Sequence, residues 1–158
     1  MEELSEQMLS IKVIEQNNDS EVERSRVTIN GKTTPSALKG AVLETCIQVK
    51  GFHLLFMTDD VLYEDMLHLH LINEDLSLID SVTIGSIYST GSFKLLGLVE
   101  PNTIKFSFIG GVEWSVQAFE KKQRHVPFLS DPKGVSRKAC FRCHLKVEGT
   151  PLPETSKH

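Results

Sequence analysis

Seven short apolar or alternating runs, packed close together with turn residues between them, constrain this chain more than any other feature. They read AVLETCIQV, FHLLFMT, MLHLHLI, LSLIDSVTI, SFKLLGLV, TIKFSFI and VEWSVQAF, and they fill most of residues 41–119. Lys50-Gly51, Asn73-Glu74-Asp75, Pro101-Asn102 and Gly110-Gly111 stand between most of them. Connections this short join antiparallel neighbours, because a parallel crossover needs about a dozen residues or more. In TIKFSFI, Ile104, Phe106 and Phe108 share one face while Lys105 and Ser107 take the other, the period of a strand buried on one side. The expectation is a mainly β protein, an antiparallel sandwich or half-barrel. Its core should include Leu54, Phe56, Leu69, Leu71, Ile104, Phe106, Phe108 and Trp114.

The flanks read differently. MEELSEQMLSI places Leu4, Met8 and Ile11 at helical spacing behind Glu2 and Glu3, which predicts a short N-terminal helix. SRVTINGKTT alternates around Asn30-Gly31, a dipeptide suited to a type I′ hairpin turn, and TPSALKG permits one turn of helix. After Phe119 the chain carries Pro127, Pro132, Pro151 and Pro153, with one candidate strand at residues 140–147. Residues 120–158 are too few for a core of their own, so they are expected to wrap irregularly over a single domain of residues 1–158.

Charge is unevenly spread. Residues 1–120 hold 8 Lys and Arg against 18 Asp and Glu, a balance of −10, whereas residues 121–158 hold 9 against 3, a balance of +6. An acidic body repels nucleic acid and steers a basic partner, and the basic tail is expected to fold back over it. No apolar run approaches the roughly 20 residues of a membrane helix. The N-terminus is acidic where a signal peptide is basic, so the expected compartment is the cytoplasm, with the three cysteines as free thiols.

Three constellations could carry chemistry. Cys140-Phe141-Arg142-Cys143-His144 has the spacing that attaches c-type haem, two thioethers plus a proximal imidazole. The alternative function is therefore a haem protein, periplasmic in that case. Zinc would need two more ligands, drawn from Cys46, His125 or His144, and as plain strand residues Phe141 and Cys143 would be core. The strand reading is preferred, with no cofactor and no metal. His68 and His70 share one strand face, and with Glu74 they resemble the first cupin motif, but Leu62 stands where that motif has glycine. The simpler reading puts Leu67, Leu69 and Leu71 in the core and both histidines on an outer face. The third constellation, MTDDVLYEDM, crowds Asp59, Asp60, Glu64 and Asp65 around Tyr63 on a loop. Calcium loops interleave glycine with their ligands, and this one has none. Four carboxylates with an aromatic anchor fit a protein-binding patch better. No nucleophile elbow and no phosphate-binding glycine loop occurs, so no enzyme activity is expected.

The span FHLLFMTDDVLYEDMLHLHLINEDLSLIDSVTIGSIYSTGSF resembles the immunity proteins of contact-dependent growth inhibition and related polymorphic toxin systems, over about residues 52–119. The resemblance implies a cytoplasmic bacterial protein that binds one toxin domain and blocks its active site. A basic toxin domain suits the acidic body, and the partner-binding residues would be Asp59, Asp60, Tyr63, Glu64 and Asp65. The basic, cysteine-bearing tail lies outside what the resemblance explains.

Overall fold

The computed structural model describes residues 1–14, 23–59, 65–85, 91–110, 112–127 and 129–149. Fourteen strands account for most of them: β1 (Glu2–Glu3), β2 (Leu9–Ile14), β3 (Arg24–Ile29), β4 (Lys32–Thr33), β5 (Leu38–Lys39), β6 (Val42–Val49) and β7 (Phe52–Thr58), then β8 (Leu67–Ile72), β9 (Leu78–Ile84), β10 (Lys94–Val99), β11 (Thr103–Ser107), β12 (Glu113–Arg124), β13 (Val135–Ser136) and β14 (Arg142–Glu148). Each of the seven apolar runs became one of the strands β6 to β12. Every strand pairing is antiparallel.

The strands form three sheets. The central one has six strands in the order β1-β6-β7-β8-β9-β13, the second runs β10-β11-β12-β14, and the third runs β2-β3-β4 with β5 also on β3. Alternation along β7 and β8 explains how they stack. Leu54, Phe56, Leu67, Leu69 and Leu71 join Ile104, Phe106, Trp114, Val116 and Leu145 of the second sheet in one core. The opposite face of the same strands, with Leu55, Met57 and Ile72, joins Val27, Ile29 and Leu38 of the third sheet in another. The central sheet is thus buried on both faces, which is why β7 and β8 read as near-continuous apolar runs. Phe56 packs edge-on to Phe106 at 5.5 Å between ring centroids, and the Trp114 indole N–H donates to the Ile109 carbonyl at 2.9 Å. Each such aromatic contributes about 1.5–3 kcal/mol by burial alone. All eight expected core residues are buried.

The flanks differ from expectation in three places. The N-terminal helix is reduced to a 3-10 turn at Glu6–Met8, because residues on both sides pair as strands, Glu3 with Ile47 and Leu9 with Ile29. Sheet pairing here overrides a modest helical propensity. TPSALKG gives no helix either; Leu38 and Lys39 pair with β3. The tail, in turn, is more ordered than a wrapping segment. β14 completes the second sheet, with Val116 opposite Val147 and Ala118 opposite Leu145. The hairpin at Asn30-Gly31 forms as its turn chemistry requires, with φ of 50° and 82°.

Candidate functional site

Of the acidic loop, Asp59 and Asp65 are described, while Asp60, Tyr63 and Glu64 lie outside the described residues. Asp59 does not face solvent as expected. Its Oδ1 accepts a hydrogen bond from His68 Nε2 at 2.7 Å, and its backbone N–H donates to Asp65 Oδ1 at 2.7 Å. The charge of Asp59 is therefore used inside the fold.

His68 and His70 correct a second expectation. They do leave the leucine face, but the third sheet covers the face they point to, so they are only 2% and 3% exposed. Their rings stack with centroids 6.2 Å apart. The Lys39 carbonyl accepts from His70 Nε2 at 2.9 Å, which leaves Nδ1 to accept from the Ser81 hydroxyl at 2.8 Å. Burial, followed by nearby His68, Lys39 and Arg24, pushes the His70 imidazole down to about 4, so it is neutral at physiological pH. With both nitrogens of each ring engaged, neither histidine offers a ligand atom in this arrangement.

The C-terminal motif is built on the β12–β14 ladder. Gln123 pairs with Cys143 and Arg124 with Arg142, and the ladder continues as His125 N–H donates to the Phe141 carbonyl at 2.8 Å. Cys140 and Cys143 are joined in a disulfide, so the expectation of three free thiols holds only for Cys46. Cys46 is fully buried, and desolvation pushes its thiol up to about 12. Phe141, expected in the core, is 77% exposed, while Cys143 is buried. His144 Nδ1 donates to the Phe119 carbonyl at 2.9 Å. His125, in the sequence only one of three residues that could complete a zinc site, stands beside the cysteine pair, its Nδ1 2.9 Å from the Cys140 carbonyl oxygen and its Nε2 2.9 Å from Asp131 Oδ2. Arg137 Nη2 and Nε clamp that same carboxylate at 2.9 and 3.1 Å. Asp131 and Arg137 carried no sequence signal, because their pairing depends on how a proline-rich loop closes.

The same segment walls a cleft of about 530 Å³ between β5, β9 and the tail. Six cations line it, Arg24, Lys39, Lys122, Arg137, Lys138 and Arg142, against one carboxylate, Asp80. Asp80 is already committed, because its Oδ2 accepts from the backbone N–H groups of His144 and Leu145, each at 3.0 Å. Apart from Arg137, the six cations have no carboxylate partner among the described residues. Leu38, Leu78 and Ile79 supply apolar surface, and among the lining residues the imidazoles of His70 and His144 are the only rings. A smaller groove of about 190 Å³ is lined by Glu3, Glu6 and Glu44 with Leu4, Leu9, Ile11 and Leu43.

No protein-family model matches the chain, and no curated protein or solved structure matches it. Among the described residues, no helix is long and apolar enough to cross a membrane.

Proposed function

We propose that the chain is a non-catalytic binding protein whose basic cleft takes an acidic segment of another protein. The observation that carries this reading is the convergence of Arg24, Lys39, Lys122, Lys138 and Arg142 on one cleft without carboxylate partners among the described residues. Unpaired like charges repel one another, so gathering them costs stability unless an anion completes the set. A protein segment suits the cleft better than a nucleotide. Bases bind by stacking on aromatic faces, and among the described residues the lining offers no Phe, Tyr or Trp, whereas the apolar floor accommodates aliphatic side chains between carboxylates.

A second reading keeps the likeness to toxin-neutralising immunity proteins. The groove of Glu3, Glu6 and Glu44 with its leucine floor favours it, because acidic groups around an apolar strip would meet a basic toxin domain. One titration separates the two readings. Fluorescent oligo-glutamate and oligo-lysine peptides are added to the whole protein at low salt, beside inorganic polyphosphate. The cleft reading expects oligo-glutamate to bind and to weaken about tenfold or more at physiological salt. Lys122→Glu with Arg142→Glu should abolish that binding. Preference for oligo-lysine, insensitive to the double variant, would support the acidic groove instead. Polyphosphate outcompeting oligo-glutamate would shift the ligand to a phosphorylated one.

A further inference from the structure

We propose that Cys140, Cys143 and His125 form a redox-gated site for a soft divalent cation, zinc by the chemistry of its donors. The inference is independent of which partner the basic cleft takes. One sulfur from each cysteine and one ring nitrogen of His125 lie within 4.8 Å of one another. Two thiolates and an imidazole are the donor set that zinc prefers, and magnesium and calcium are excluded because they demand oxygen ligands.

Two further features make this more than proximity. The first is that the backbone holds the three residues together without the disulfide. Cys143 is fixed opposite Gln123 in the ladder, and His125 is bound through its N–H to the Phe141 carbonyl. Breaking the sulfur–sulfur bond therefore leaves the donors in place. The second is the support behind the imidazole. His125 Nε2 donates to Asp131, which Arg137 clamps through two nitrogens, and Arg137 in turn donates to the Leu145 carbonyl at 2.9 Å. A carboxylate bound to the far nitrogen of a ligating histidine fixes its tautomer and raises its basicity. Here Nδ1, which is bonded to the Cys140 carbonyl without the metal, is the nitrogen that would turn to the metal while Nε2 stays on Asp131.

The oxidised protein cannot use this set, because the sulfurs are bonded to each other. Reduction by two equivalents of a small thiol opens it: the disulfide takes up two electrons and two protons, and the two small thiols leave as their own disulfide. Zinc then displaces the two thiol protons, and the bond from His125 Nδ1 to the Cys140 carbonyl is exchanged for one to the metal, with release of that proton. The resulting centre of Zn²⁺ with two thiolates is neutral. Neutrality matters because Lys138 and Arg142 line the same cleft as both cysteines, and an additional positive charge there would be repelled. Water supplies the fourth position, because Asp131 is committed to His125 Nε2 and Arg137.

The test compares the full chain in oxidised form and after treatment with a phosphine reductant, which does not itself bind zinc through sulfur. Cobalt(II) titration should give thiolate charge-transfer absorption in the reduced protein alone. Zinc retained after dialysis should reach one ion per reduced chain and none in the oxidised chain. Cys140→Ser with Cys143→Ser should abolish both signals. His125→Ala should weaken zinc by about 100-fold, and Asp131→Asn by about 10–100-fold as a positioning residue. Near-ultraviolet circular dichroism of Trp114 confirms that each variant is folded, and a variant that fails this check is replaced by His125→Gln. Equal zinc content in the two redox forms, or unchanged affinity in a folded His125 variant, overturns the proposal.

Discussion

Lowering the pH should destabilise this protein in part through one side chain, His70. In the folded state its imidazole is pushed down to about 4, first by burial, whereas an unfolded histidine titrates near 6.5. Above pH 6.5 both states are neutral and His70 contributes nothing to the pH dependence. Below it the unfolded chain takes up a proton that the folded chain refuses. Stability therefore falls by about 1.4 kcal/mol per pH unit until the folded pKa is reached, for a total of about 3 kcal/mol between pH 6.5 and 4. The refusal has a visible cause. Nε2 already donates to the Lys39 carbonyl, so the proton would go to Nδ1, which accepts from Ser81, and the charge would sit 97% out of water between two sheets and beside His68. The assay is urea unfolding from pH 7 to pH 4.5, comparing the wild type with His70→Gln, which can still donate to Lys39. Carboxylates titrate in both proteins, so the difference between the two curves isolates His70. That difference should move by roughly 3 kcal/mol in favour of the variant as the pH falls. A difference that stays constant across this range would falsify the assignment of a buried neutral imidazole, as would a His70 proton resonance titrating near pH 6.5 in the native state.

Three other perturbations test the architecture. Gly149→Ala would place a Cβ 2.5–2.9 Å from the Trp114 ring, and since an indole cannot fold away, thermal unfolding should register a loss of about 1–3 kcal/mol. Asp80→Ala removes the acceptor that ties β9 to the His144 and Leu145 amides; chemical denaturation should show a loss of about 3 kcal/mol, and a smaller effect than 1 kcal/mol would mean water replaces the carboxylate. The Cys46 thiol, buried and held up to about 12, should resist an aromatic disulfide reagent in the native protein at pH 8 and react fully in denaturant, as followed by thiolate release.

Strand positions were legible because their turns were. Phe52–Thr58 matches the run FHLLFMT residue for residue, bounded by Lys50-Gly51, with Lys50 at a φ of 55°. The third layer was not legible. A two-layer sandwich needs one apolar face per strand, and MLHLHLI appeared to supply one, with its histidines left for solvent. They are instead buried, and His70 bonds to the Lys39 carbonyl of the third sheet, a residue too distant in sequence for any local pattern to join it to β8. The polar pattern was correctly read and its meaning missed, because a histidine with two good partners can be buried as readily as a leucine. The same limit applies to His125 with Asp131 and Arg137. CFRCH drew attention to His144 by adjacency, while the ladder between β12 and β14 brings His125 to the sulfurs from some fifteen residues upstream.

The charge of the tail can be understood from where its cations end up. If its role were to neutralise the acidic body, its lysines and arginines would pair with carboxylates of residues 1–120. Arg137 does approach Asp80, at 3.9 Å, but its close partner is Asp131 of the tail itself. Lys146 reaches Glu148, also in the tail, at 3.4 Å. Among the described residues, Lys122, Lys138 and Arg142 pair with no carboxylate and instead line the cleft, joined there by Arg24 and Lys39 from the body. Folding has thus moved two of the body's cations toward the tail rather than the tail's cations toward the body's acids. Electrostatics within the chain would favour the opposite arrangement, so packing and hydrogen bonding must hold this one in place. Asp80 supplies part of that hold by binding two amides of β14. What remains is a cleft whose cations other than Arg137 have no carboxylate partner among the described residues, on a protein whose net charge is negative; such a distribution would turn an acidic partner toward that face and repel it from the rest.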